Sequence, residues 1–238
     1  MAYTPERLTE ELKAIYKENL ECVLLYGSGA DGDYVEKYSD FNVLVILKRL
    51  DLGELKRMSR TVRDWVKAGN PPPLMFTLER FRRSEDVFPI EFLDMRDRHK
   101  VLHGRDPFVG LEIHPTNLRQ QLEFELKGKL IKLRESYLLA GEDPGELRAL
   151  LVKASSTFLI LFLGALRLFG HEPLPPKAEA AKALASRVGF DPEVFYALRG
   201  LRDGDPAAEA ADPDELMERL LAAVEAAVDA VDQWKPEK

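Results

Sequence analysis

The sequence predicts an α+β protein, with a small sheet and flanking helices in its first half and an antiparallel helical bundle in its second. In the first half two short apolar runs, Cys22 to Tyr26 and Val43 to Leu47, are separated by a glycine turn and a polar excursion, the pattern of strand, turn, connector and strand. From Pro115 onward leucines recur at helical spacing instead. The break lies near Gly104 to Pro115, where Gly104, Pro107, Gly110 and Pro115 interrupt both patterns, and divides the chain into domains of residues 1–110 and 111–238.

Taken in order, Thr4-Pro5-Glu6 is a helix start, with proline at the first helical position and an acid in the first turn. Leu8, Leu12, Ile15 and Tyr16 follow at helical spacing, so this helix packs under the Cys22 strand. The second strand opens with Asp40 and Asn42, whose side chains leave the same face of an extended chain. Polar groups at the mouth of a strand otherwise fit for burial need a reason. Asp51 to Ala68 reads as a helix with Leu52, Leu55, Met58, Val62, Trp65 and Val66 on its inner face and Gly69 as its stop. Pro71-Pro72-Pro73 breaks regular structure, and Leu74 to Leu78 is a third short strand.

Phe88 to Asp94 reads as a fourth strand, with Glu91 flanked by Ile90 and Phe92. A period of two sends Asp94 to the face opposite Glu91. Arg82, Arg83, Arg96, Arg98 and Lys100 nearby read as a solvated charged face. His99 and His103 would share a helix face, but Lys100 stands where a metalloprotease has its glutamate, and they read as surface residues. Cys22, inside an apolar run, reads as core.

In the second half Thr116 to Ala140 carries Leu118, Leu122, Leu126, Leu130, Leu133 and Tyr137 at helical spacing and stops at Gly141. Asp143-Pro144, Asp191-Pro192 and Asp212-Pro213 are helix caps followed by proline. They open helices reaching Phe169, about Arg202 and Trp234, and another helix spans Lys177 to Val188. Leu216, Leu220, Val224, Val228 and Val231 give the last helix an apolar stripe. Ala154 to Leu166 is uncharged but shorter than the about 20 residues a bilayer requires, and reads as a buried helix.

Charged residues make up 32% and hydrophobic ones 45% of the 238 residues, the composition of a soluble globular protein. The net charge of −7 without a run of five or six like charges predicts no nucleic-acid surface. Cys22 is the single cysteine, which fits a reducing compartment. The first residues carry no signal segment, and a cytoplasmic protein without membrane attachment is expected.

Gly27-Ser-Gly29-Ala-Asp-Gly32 spells the dinucleotide fingerprint G-x-G-x-x-G, but that motif leads into a crossover helix, and only Asp33 to Ser39 separate it from the next strand. The same stretch resembles the nucleotidyltransferase superfamily related to DNA polymerase beta. Its pattern G-S-x-A-x-G, a short spacer, then S-D-hydrophobic-D at the head of a strand, is matched by Gly27, Ser28, Ala30, Gly32, Ser39 and Asp40, with Asn42 in the last position. The resemblance implies a mixed sheet, and a helical second domain as in the kanamycin nucleotidyltransferase type. It implies that Gly27 and Ser28 hold the phosphates of a nucleoside triphosphate, ATP being the expected donor. It further implies that Asp40, Asn42 and a third carboxylate hold Mg2+ or Mn2+. Glu91 is the first choice for that carboxylate and for accepting the acceptor's proton; Asp94 is the second.

The implied reaction moves a nucleoside monophosphate to a hydroxyl of a small molecule or protein. Asn42 removes one negative charge beside the metals, and Asp31 compensates only if the turn brings it inward. A second reading is a nucleotide-binding protein of this fold with impaired catalysis. A third makes the helical bundle the working part, contacting a partner or forming a homo-oligomer.

Overall fold

The structure, a computed structural model, describes residues 3–30, 40–141 and 143–236. The chain divides into two compact units, Met1–Ile113 and His114–Lys238.

The first unit is a four-stranded sheet of β1 (Leu20–Tyr26), β2 (Asn42–Leu47), β3 (Leu74–Thr77) and β4 (His99–Gly104) in the order β3-β2-β1-β4. The sheet is mixed: β3 runs parallel to β2, and the β1–β2 and β1–β4 pairs are antiparallel. Helix α2 (Leu52–Lys67) makes the crossover that a parallel β2–β3 pair needs.

One face of the sheet packs Val23, Leu25, Val43, Val45 and Leu47 against α1 (Pro5–Tyr16) and α2. Thr4 caps α1, accepting from the Arg7 N–H, and Asp51 caps α2 through the Glu54 N–H. The inner stripe of α2 is narrower than its apolar residues predict. Met58 and Trp65 are buried, whereas Leu52, Leu55 and Val66 are exposed.

The other face packs Cys22, Leu24, Leu44 and Ile46 against α3 (Leu78–Arg82), α4 (Pro89–Asp97) and Phe108 and Leu111 beyond β4. Phe81 and Phe92 stack at 4.5 Å, and the Phe108 ring meets Phe81 edge-on at 5.3 Å. Here two expectations are corrected. Phe88 to Asp94 is not a strand: Pro89 opens α4, and the Phe92 N–H donates to the Phe88 carbonyl. The residues around His99 and His103 are not helical, but form the edge strand β4.

The second unit consists of α5 (Pro115–Ala140), α6 (Pro144–Leu168), α7 (Ala180–Val188), α8 (Glu193–Asp203), α9 (Pro206–Glu209) and α10 (Pro213–Gln233). Asp143 and Asp212 cap α6 and α10. Asp191 accepts from the Glu193 N–H at the start of α8 and pairs with Arg219 of α10 at 2.8 Å. By length and composition α6 could cross a membrane, but it packs within the bundle against α5, α7, α8 and α10. Gly164 allows α5 to approach: a β-carbon there would come within 2.7 Å of Leu122.

Candidate functional site

β1 ends at Tyr26, and the chain turns at Gly27 with φ +76°, a conformation that favours glycine. Gly27–Gly29 forms one 3-10 turn, closed by the Ala30 N–H donating to the Gly27 carbonyl at 2.9 Å. The Gly27 N–H donates to the Arg98 carbonyl at 2.9 Å. That donor is therefore engaged at β4's entry. A β-carbon on Gly29 would meet Phe41 at 3.1 Å, and one on Gly27 would stand 3.7 Å from the Asn42 side-chain nitrogen. Both glycines thus lie against the head of β2.

That head is fixed from below. Phe41 packs toward the α1–α2 face and tilts against Trp65, ring centroids 6.3 Å apart. Its N–H donates at 3.0 Å to Oδ1 of the buried Asn70, and the Trp65 indole N–H donates to the Pro71 carbonyl at 2.8 Å. With Phe41 turned to that face, strand alternation sends Asp40 and Asn42 to the opposite one. Asp40 is exposed and Asn42 half-buried.

Asn42 pairs across the sheet with Tyr26, and Tyr26 with His99, so these three form a row over β2, β1 and β4. Burial raises the Tyr26 hydroxyl's pKa above its ordinary range. The His99 ring is held between the Arg96 carbonyl, 2.8 Å from Nδ1, and Asp106 Oδ2, 3.2 Å from Nε2. Tyr26 and Asn70 belong to no sequence motif, and His99 is marked only by its spacing to His103. Their placement depends on strand register and on the loop after α2, neither of which a local pattern specifies.

The structure brings the Gly27-Ser28 turn, Asp40 and Asn42 to one end of β1 and β2. Asp31, Gly32 and Ser39 lie outside the described residues. Glu91 does not sit on a strand beside Asp40. It is an exposed residue in the first turn of α4, and Asp94, three residues on, shares its helical face instead of opposing it. On the side away from β1 the strand beside β2 is β3, and the register Leu44–Leu74 and Ile46–Phe76 puts Leu74 and Phe76 on Asn42's side. Neither is a carboxylate.

No cluster of three or more His, Cys, Asp or Glu side chains suited to a metal occurs among the described residues. Asp40 and Asn42 offer one carboxylate and one amide oxygen. This donor set suits a single magnesium ion, which is held by one or two carboxylates with phosphate oxygens and water completing its shell. It falls short of a two-metal site.

No protein-family model matches the sequence, and a search of curated proteins finds no match. Among solved structures the chain is similar to the spectinomycin adenyltransferase AAD(9) from Enterococcus faecialis, in a crystal structure with ATP and spectinomycin. The likeness has a TM-score of 0.55 at 11% identity and covers 94% of this chain and 100% of that one. The chain has a nucleotidyltransferase-like fold. The mixed sheet followed by a helical region agrees with the fold expected from the glycine-turn motif.

Proposed function

We propose that the protein binds a nucleoside triphosphate, ATP by its likeness to the adenyltransferase, at the Gly27–Gly29 turn and the head of β2, and transfers the nucleoside monophosphate to a hydroxyl. The observation that carries this is the meeting of Gly27 and Asn42, with Asp40 two residues ahead, in a chain that matches an adenyltransferase along 94% of its length. The acceptor oxygen bonds to the α-phosphorus, the bond to the β-phosphate oxygen breaks, and pyrophosphate leaves while the hydroxyl proton passes to solvent or a carboxylate. Asp40 and Asn42 would hold a magnesium or manganese ion, which neutralises phosphate charge when bound. The Ser28 and Gly29 amides would position the phosphates. The expected acceptors are small molecules or proteins, in the cytoplasm.

A second reading, nucleotide binding without transfer, is favoured by two residues. Asn42 lacks a charge where the motif has a carboxylate, and Leu74 and Phe76 supply none from the neighbouring strand. The experiment is pyrophosphate release from ATP with magnesium, with and without a panel of hydroxylated acceptors, in wild type and Asp40→Ala. Release in wild type that Asp40→Ala abolishes supports transfer. Saturable ATP binding without release supports the second reading, and neither binding nor release overturns both.

A further inference from the structure

At the opposite end of the sheet from the Gly27 turn the first unit has a cavity of about 930 Å³, within the size range of small-molecule sites. It lies where β1 begins and β2 and β4 end, since Cys22 pairs with Ile46 on one side and Gly104 on the other. Tyr26, opposite Asn42, is four residues further along β1, roughly 13 Å at strand rise. The two places are therefore separate.

The backbone here is specially shaped. Between Leu20 and Cys22 the β1–β2 register slips, so that Glu21 is a bulge residue, and bulges bend a strand and re-aim its side chains. Gly104 ends β4 with φ +82°, and a β-carbon there would lie 1.8 Å from the Glu21 carbonyl oxygen. Only glycine allows this approach, and it turns the chain so that Arg105 and Asp106 continue along the cavity wall.

The floor is apolar, formed by Cys22, Ile46 and Leu78, and the mouth carries Lys48, Arg82 and Arg105. None of these three cations is in an ion pair with a described residue, whereas the nearby Arg49 and Arg83 pair with Glu54 and Glu79. Glu21 and Asp106 also line the cavity against the three cations, and Asp106 is already used. Its Oδ2 meets His99 Nε2 at 3.2 Å, and its Oδ1 accepts from the Phe108 N–H at 2.8 Å. A basic mouth over an apolar floor thus stands out on a chain of net charge −7.

We infer that this cavity is a second binding site, for a small molecule with an apolar body and a phosphate or carboxylate group. The apolar body lies on Cys22, Ile46 and Leu78, and the anion is held by Lys48, Arg82 and Arg105. This inference stands apart from the nucleotide reading, because no residue is shared between the two places.

The test is titration of the full chain with 1-naphthyl phosphate and, as an uncharged control, 1-naphthalenemethanol, followed by calorimetry and by amide shifts in NMR. The expected result is saturable binding tighter than about 1 mM, with shifts at Cys22, Ile46 and Gly104 and at least about tenfold weaker binding of the control. Arg82→Glu combined with Arg105→Glu, both exposed positions, weakens the phosphate probe at least about tenfold with an unchanged circular dichroism spectrum. Lys48→Ala, a milder change, weakens it in the same direction. Absence of saturable binding in wild type, or unchanged affinity in the charge-reversed protein, overturns the site. So does displacement of the probe by ATP together with its loss in Asp40→Ala, which would place the probe at the glycine turn.

Discussion

The side-chain nitrogen of Asn42 lies 3.7 Å from the point a β-carbon on Gly27 would occupy, so the turn after β1 and the first residue of β2 meet directly. That distance is ordinary contact, and space alone would admit alanine. The φ of +76° would not. Gly27→Ala is expected to lose about 1–2 kcal/mol of stability, the cost of a left-handed backbone for an L-residue, measured by urea unfolding. Gly27→Asn should lose less, because asparagine tolerates this region.

Asn70 holds the Asp40–Asn42 segment by accepting the Phe41 N–H while itself buried. Asn70→Ala removes that hydrogen bond, at an expected cost of about 0.5–1.5 kcal/mol. The same variant should shift the fluorescence of Trp65, which lies beside Phe41 and whose carbonyl receives the Asn70 amide. Loss of stability with an unchanged Trp65 environment would place Asn70's role elsewhere.

Burial pushes the Cys22 thiol up to about 12 from 9.0 and the Tyr16 hydroxyl up to about 12 from 10.0. Both groups are raised in the folded state, so the unfolded chain releases its protons first and stability falls as pH rises. The loss should begin near pH 9 from Cys22 alone, at about 1.4 kcal/mol per pH unit. Tyr16 and the likewise raised Tyr26 join above pH 10 and steepen the loss. Cys22→Ala should flatten the curve between pH 9 and 10, read from urea midpoints across that range.

The helical state of α4 has a mutational signature. Phe92 is buried between Phe81 and Phe108, while Phe88 is 46% exposed. Phe92→Ala should cost about 3–5 kcal/mol, and Phe88→Ala less than about 1 kcal/mol. A strand with Phe88, Ile90 and Phe92 on one inward face would make both substitutions costly.

This segment also shows where the sequence could not be read locally. Phe88, Ile90 and Phe92 alternate with Pro89 and Glu91, which is also the period of an extended strand. Ile90, Phe92, Leu93 and Met95 are all buried in the helix, because α4 is covered on most of its circumference, so no single period dominates. Pro89 at the first helical position was the sign of a helix start. β4 was invisible for the converse reason. Its residues, His-Lys-Val-Leu-His-Gly, are only half-buried at an edge, and pairing with β1 makes the strand.

By contrast β1, β2 and β3 and the long helices of the second half were legible, since buried strands and amphipathic helices write their periods into the chain. The glycine turn and the Asp40–Asn42 pair were legible because glycine and acid positions in order identify a turn and a polar strand mouth. The residues that support them, Asn70 and the Tyr26–His99 row, come together only through tertiary pairing.

Nucleotide binding at the head of β2 is tested most directly by thermal stability with ATP and magnesium in wild type and Asn42→Asp. Wild type should be stabilised in a metal-dependent way, by about 2.7 kcal/mol at a hundred times the dissociation constant. A carboxylate at position 42 adds a charge near the ion worth roughly 4 kcal/mol at 4 Å before hydration offsets most of it. Asn42→Asp should therefore bind about tenfold tighter in metal-dependent fashion. If neither protein is stabilised by ATP or any other nucleoside triphosphate, with magnesium or manganese, the head of β2 is not a nucleotide site.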